Sequence, residues 1–190
     1  MPSADPPVAI HTARLVLRSP RIDDAADLAS VADDPRVAAG LRDVFPHPYT
    51  FTDARHWITG GEERHPLMGL LITRDDQVLG GIGLVPGDDV DRFSAEVGYW
   101  LGVDHWGHGY ATEALTALCD HAFGVTEFVR IFGCVFEGND ASGRVLAKSG
   151  FTLEAVLRRA VFKDERFLDL AVYVRLRPDG RPSQLTTASA

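Results

Sequence analysis

Three places in the chain combine residue types that could do chemistry. The first is Glu96, a carboxylate inside the otherwise apolar run Ser94–Leu101. On a strand its side chain shares a face with Gly98 and Trp100. Partial desolvation there raises a carboxylate towards useful basicity, which suits a general base. The alternative is a strand-edge carboxylate or a structural ion pair. The second place is the Gly-rich turn His105-Trp106-Gly107-His108-Gly109-Tyr110-Ala111-Thr112-Glu113. Glycines ahead of a helix let backbone N–H groups face an anion at the helix N-terminus. No Lys-[Ser/Thr] follows the glycine, so the turn is not a P-loop. Thr112 stands where a dinucleotide fingerprint carries its third Gly. A purely structural turn is the alternative. The third place is Asn139-Asp140-Ala141-Ser142, which opens a helix closed by Gly150. Asn139 is an N-cap, a ligand contact or both, and Ser142 brings a hydroxyl to the first turn.

The elements that must hold these residues follow from periodicity. Alternation over Thr12–Arg18 reads as a half-buried strand. Asp23 or Asp24 can cap a helix carrying Leu28, Val31 and Ala32, which Pro35 ends, and a short helical piece covers Arg36–Leu41. Val44–Tyr49 is a loop with two prolines. Thr52 caps a helix through Trp57 and Ile58, stopped by Gly60-Gly61. Leu67–Thr73 and Val78–Leu84 form a hairpin around Arg74-Asp75-Asp76-Gln77. Ser94–Leu101 is the next strand. Ala111, Leu115, Leu118 and Ala122 lie on one face of a helix after the Gly turn. Val129–Phe136 is a buried strand. After the helix from Asn139 or Asp140 through Lys148, Phe151–Leu157 and Phe167–Leu176 close the fold as an antiparallel pair. In the last strand Leu168, Leu170, Val172, Val174 and Leu176 point one way. This order predicts a mixed α/β sheet of about seven strands with helices on both faces. Residues 94–136 form a parallel strand–helix–strand crossover.

A chain of 190 residues fits one domain. We expect it over 10–177, with flexible termini at 1–9 and 178–190. The 27 Asp and Glu against 19 Lys and Arg argue against a broad nucleic-acid surface. No apolar run is long enough to span a membrane, and no basic-then-apolar leader opens the chain. Two cysteines, Cys119 and Cys134, are too few for a disulfide framework, so the expected compartment is the cytoplasm. No metal is expected, because the histidines at 11, 47, 56, 65, 105, 108 and 121 form no H-x-x-x-H pair on a helix. The size is compatible with a homodimer as well as a monomer.

The run Ala95-Glu96-Val97-Gly98-Tyr99-Trp100-Leu101, the stretch Trp106–Leu115, Asn139-Asp140-Ala141-Ser142 and Lys148-Ser149-Gly150-Phe151 together resemble the GNAT N-acetyltransferase superfamily. Thr12–Arg18 is similar to the first strand of its ribosomal-protein alanine N-acetyltransferase branch. The resemblance implies a mostly antiparallel central sheet, splayed between two parallel strands, here 94–101 and 129–136. It implies acetyl-CoA as co-substrate. The pantetheine arm would bond to backbone near Leu101 and Val103, with Asn139 as a further contact. The pyrophosphate would lie on the N–H groups of Gly107, His108, Gly109, Tyr110, Ala111 and Thr112. Asp104 departs from the superfamily's Gln or Arg at the loop start, so binding rests on backbone and helix dipole. A His108 side-chain contact is one option and a solvated His108 the other.

Acetyl transfer to an amine needs a base, donors for the oxyanion, and a hydrogen-bond donor or proton for the departing thiolate. The family branch places its base at the position of Glu96. The wider superfamily's acid, a Tyr, aligns with Leu146, which cannot donate. The branch's Ser aligns with Ser142, so Ser142 is assigned to the sulfur, with water as the alternative proton source. A Leu101 backbone N–H is the expected oxyanion donor. The acceptor is an amine, either a protein N-terminus or a small molecule, entering between Val44–Tyr49 and the Lys163–Phe167 turn. The alternatives are an acyl-CoA sensor, a catalytically silent module, or the same chemistry with a longer acyl donor.

Overall fold

The computed structural model describes residues 8–60, 69–178 and 180. In chain order the elements are β1 (Ala9–His11), β2 (Val16–Arg18), α1 (Ala25–Ala32), α2 (Pro35–Ala39), α3 (Phe51–Thr59), β3 (Leu70–Arg74) and β4 (Gln77–Pro86). Then come β5 (Ser94–Leu101), α4 (Tyr110–Val125), β6 (Arg130–Phe136), α5 (Asp140–Lys148), β7 (Thr152–Lys163) and β8 (Arg166–Leu176). The strands form one sheet in the order β1-β2-β3-β4-β5-β6-β8-β7. Every neighbouring pair is antiparallel except β5 and β6, which are parallel around the α4 crossover. The sheet is therefore mixed and mostly antiparallel, as its sequence suggests.

Among the described residues it has eight strands, where about seven are expected. The stretch 12–18 is not one strand. β1 pairs back on β2, with Ile10 opposite Leu17. The Thr12 hydroxyl accepts the Leu15 N–H and makes the turn locally. Ala9, expected in the flexible N-terminus, is the first residue of β1. Residues 1–7, 67–68, 181–190 and Gly61, where other expectations fall, lie outside the described residues. The final hairpin is longer than expected, because β7 and β8 pair as far as Lys163 and Arg166 with a bulge between Leu157 and Val161.

One helix start differs from expectation. Thr50, not Thr52, caps α3. Its hydroxyl accepts the Asp53 N–H while the Asp53 carboxylate accepts the Thr50 N–H, a reciprocal capping box. Asp24 stands at the N-cap of α1, as expected, but its side chain makes no cap bond. Its carboxylate takes the Arg21 N–H and two bonds from the Arg18 guanidinium instead.

The sheet buries both faces. On one, Leu17, Ile72, Leu84, Val97 and Ile131 pack on Leu115 and Leu118 of α4 and Leu146 of α5. On the other, Leu71 and Val78 meet Leu28 of α1 and Ala54 of α3, with Trp100 against them. β5 serves both: Ala95, Val97, Tyr99 and Leu101 face α4 and α5, while Glu96 shares the opposite face with Trp100.

The feature that positions a site is where β5 and β6 stop pairing. Their register is Ser94 to Arg130, Ala95 to Ile131 and Glu96 to Phe132. β4 follows β5 out to Leu101, and β8 follows β6 out to Phe136. Beyond Glu96 the two central strands share no pairing among the described residues, so the sheet forks there.

Candidate active site

At the fork, β5 offers backbone. The Gly102 N–H donates to the Leu79 carbonyl at 2.9 Å, in the same register as the β4–β5 ladder. Antiparallel ladders alternate hydrogen-bonded and non-bonded pairs. Gly98 and Trp100 therefore turn their backbone groups to β4. Tyr99 and Leu101 turn theirs to the open side, while Val97 still turns its N–H to β6 at the Glu96–Phe132 pair. The Val129 N–H donating to the Phe93 carbonyl has the same parity. The Leu101 carbonyl is taken by the Trp106 indole N–H at 2.8 Å, which leaves its N–H facing the fork. Val103 opens a single 3-10 turn, and its carbonyl accepts the Trp106 N–H.

The Gly turn follows. Gly107 and Gly109 have φ of +79° and +78°, a region that L side chains reach only with strain. Gly109 is the N-cap of α4 and brings no side chain to it. The first N–H groups of α4, on Tyr110, Ala111 and Thr112, therefore have no intrahelical acceptor. Tyr110 itself is buried, so only its backbone can serve a ligand, whereas His108 is exposed. Arg14, from the β1–β2 turn, pins this loop. Its guanidinium donates to the His108 carbonyl at 3.1 Å and to Glu113 at 2.7 Å. It also lies 4.8 Å from the centre of the Tyr110 ring. Arg14 thus sets a cation beside Gly109, although Asp104 brings none. An open groove of about 540 Å³, lined by Thr12, Gly109, Thr112 and Lys148 among others, runs alongside.

Next to the fork stands the start of α5. Asn139 Oδ1 accepts the Ser142 N–H at 3.2 Å, so Asn139 is the N-cap. Gly150, at φ +85°, closes α5 with Phe151 N–H to the Leu146 carbonyl and Gly150 N–H to the Ala147 carbonyl, a Schellman motif. Ser142 Oγ lies 2.8 Å from the Tyr99 hydroxyl. Burial pushes the Tyr99 phenol up to about 12, against a smaller lowering by Ser142. Leu146 is buried beside Gly133 and Val97.

Glu96 lies on the other side of the sheet. It is half-buried, with its side chain 29% exposed, and accepts a 2.9 Å bond from Arg42. That bond and the carboxylate's charge raise Arg42 above the usual guanidinium value. Burial, with Glu96 nearby, pushes the Cys134 thiol of β6 up to about 11. Two contacts hold the loop around Val44–Tyr49 here, one of them from the residue just before it to the start of the Lys163–Phe167 turn. Phe45 packs edge-on against Trp100 with ring centres 5.3 Å apart. Asp43 pairs with the buried ammonium of Lys163 at 2.8 Å, tying the loop to the end of β7. Glu96 and Ser142, predicted as one catalytic pair, therefore approach the fork from opposite faces.

Residues 14–152 match the Acetyltransferase (GNAT) domain family. The chain belongs to the GNAT acetyltransferase family. A Bacillus licheniformis protein described as uncharacterized N-acetyltransferase p20 is 29% identical over 176 residues, which are 88% of this chain and 96% of that protein. The Escherichia coli ribosomal-protein-serine acetyltransferase is 31% identical over 106 residues, 56% of this chain and 59% of that protein. Mycobacterium smegmatis RimJ, solved in complex with CoA-disulfide, superposes with a TM-score of 0.77 at 26% identity, covering 92% of this chain and 87% of that one. This GNAT chain is accordingly an acetyl-CoA-dependent N-acetyltransferase.

Three residues of this GNAT site carry no local sequence signal. Arg14 reaches the Gly turn from 94 positions away, and Arg42 reaches Glu96 from 54. Tyr99 meets Ser142 across 43. Tyr99 stands inside the quoted motif, but nothing in the run tells which partner its hydroxyl finds. Among the described residues, no group of three or more His, Cys, Asp or Glu could hold a metal ion. No described helix is long and apolar enough to cross a membrane.

Proposed function

We propose that this enzyme transfers the acetyl group of acetyl-CoA to a primary amine by direct attack on the thioester, with Glu96 as general base. The observation that carries this reading is the fork. Glu96 is the last residue of β5 paired with β6, and the β6-side edge of the strand beyond that pair is open among the described residues. A pantetheine arm, which alternates amide donors and acceptors, fits such an edge as an added strand would. Leu101, Asn139 and the turn after Val103 border its path. The N–H groups of Gly107 through Thr112, with Arg14 beside Gly109, suit a pyrophosphate. Bound there, acetyl-CoA supplies an activated carbonyl and a thiolate leaving group.

The protein's own groups do the rest. Glu96 receives the ammonium proton of the acceptor on the α1 and α3 face. The Leu101 N–H faces the position where charge develops on the carbonyl oxygen. Ser142, on the α4 and α5 face, donates a hydrogen bond to the sulfur. Because Arg42 occupies the position opposite Glu96, an acceptor ammonium replaces it on binding. The E. coli relative named for a ribosomal-protein serine supports a peptide N-terminus as acceptor, and a small amine meets the same requirements. Both cysteines are free thiols, which supports a cytoplasmic enzyme.

Replacing Glu96 by Gln tests this. We expect kcat to fall by ~10²–10⁴ while the acetyl-CoA Kd stays the same, since the base acts on the amine alone. An unchanged kcat with chemistry rate-limiting would make Glu96 a structural partner of Arg42.

A further inference from the structure

The inference here rests on the assignment of Ser142 to the leaving sulfur and asks what makes a serine fit for it. A free hydroxyl rotates, and its proton goes to whichever acceptor is nearest. Tyr99 removes that freedom. Its hydroxyl is 2.8 Å from Ser142 Oγ and 3.1 Å from the Ser142 carbonyl oxygen, so one phenol proton faces two acceptors. Two arrangements satisfy the pair. In one, the phenol donates to the carbonyl and the serine proton is spent on the phenol oxygen. In the other, the phenol donates to Oγ and the serine proton turns away from Tyr99.

The helix decides between them. Ser142 lies in the first turn of α5, and its carbonyl is the regular helical acceptor of the Leu146 N–H. That carbonyl already has a donor, whereas Oγ, at the shorter distance, does not. Asn139 Oδ1 is engaged by the Ser142 backbone N–H, so it is a weak competitor for the hydroxyl proton. Val97, the neighbour of Tyr99 on the same face of β5, packs beside Gly133 and Leu146 at the fork. With the phenol proton donated to Oγ, the serine proton is left for an acceptor other than Tyr99.

We propose that Tyr99 is a positioning residue for the leaving-group step, donating its phenol proton to Ser142 Oγ and so committing the serine proton to the departing sulfur. Once Glu96 has passed the ammonium proton to solvent, the N–C bond forms and the C–S bond breaks, the second nitrogen proton goes to Glu96, and the electron pair leaves on sulfur. Ser142 donates a hydrogen bond to that pair without giving up its proton, and solvent later protonates the thiolate.

The test is a double-mutant cycle on kcat with Tyr99→Phe, Ser142→Ala and the pair, with acetyl-CoA affinity measured alongside. Tyr99→Phe keeps the ring that packs against the core. Each single change should lower kcat about tenfold, the worth of one hydrogen bond to a developing charge, and leave the acetyl-CoA Kd within about twofold. In the Ser142→Ala background, Tyr99→Phe should change nothing further. Ser142→Thr, which keeps the hydroxyl, should retain the sensitivity to Tyr99→Phe. Equal losses in both backgrounds would reduce Tyr99 to a packing residue. A kcat that falls with Ser142→Ala but not with Tyr99→Phe would overturn the role of Tyr99 alone. A kcat indifferent to Ser142→Ala would overturn the assignment of Ser142 and the role of Tyr99 together.

Discussion

The two faces of the sheet at the fork are built differently. On the α4 and α5 face, the groups are backbone N–H at strand and helix ends, a buried phenol, and a serine in a capped helical turn. On the α1 and α3 face, Glu96 is set by Arg42, and the Asp43–Lys163 pair ties the same loop to β7. The Arg42 and Asp43 side chains are 64% and 78% exposed. Exposed ion pairs contribute about 0–1 kcal/mol and exchange partners readily. Backbone fixed by ladders and caps does not. The contrast matches the two substrates. In the proposed reaction, the face assigned to acetyl-CoA is held by backbone ladders and caps, and the face assigned to the amine is held by pairs that another cation can open.

The sharpest way to break this contrast is Gly109→Glu. Its left-handed φ strains any side chain, and a carboxylate at the mouth of α4 repels a phosphate. Calorimetry should show acetyl-CoA binding lost by about 100-fold or more, with the fold retained by circular dichroism. Unaltered affinity would remove the Gly turn from the site. A smaller effect of opposite sign is expected from Arg42→Met. With the competing guanidinium gone, the KM for the amine should fall about two- to tenfold and the acetyl-CoA Kd should not move. A rise in amine KM, or a fall in kcat, would make Arg42 a support for the base rather than a placeholder for the acceptor.

The same contrast explains what the sequence reveals. The Gly turn, the Asn139 cap and the Gly150 stop are local devices, written within a few residues, and each is legible. Thr50 as the α3 cap is legible too, because Asp53 follows three residues on; Thr52 has no such partner. The β1–β2 turn is hidden because Leu15 and Leu17 keep a strand-like alternation while Thr12 folds the chain back. The later part of β7 is hidden because Arg158 and Arg159 interrupt its apolar pattern at a bulge on an exposed edge strand. Glu96 stands out as a carboxylate in an apolar run. Its partner Arg42 does not, since a long-range ion pair leaves no periodic trace. Nor does the sequence alone tell that Glu96 and Ser142 stand on opposite faces, which follows from the parity of β5 against two separate cores.

The central claim is that the open edge of β5 receives the co-substrate, and amide hydrogen exchange resolved by residue tests it most directly. The N–H groups of Tyr99 and Leu101 face the fork, whereas those of Gly98 and Trp100 face β4 and that of Val97 faces β6 at the last paired position. Saturating CoA should slow exchange at Leu101, Tyr99 or both, and across residues 107–112, while leaving Val97, Gly98 and Trp100 unchanged. Unaltered exchange at both fork-facing amides, Tyr99 and Leu101, with CoA demonstrably bound, would contradict the account.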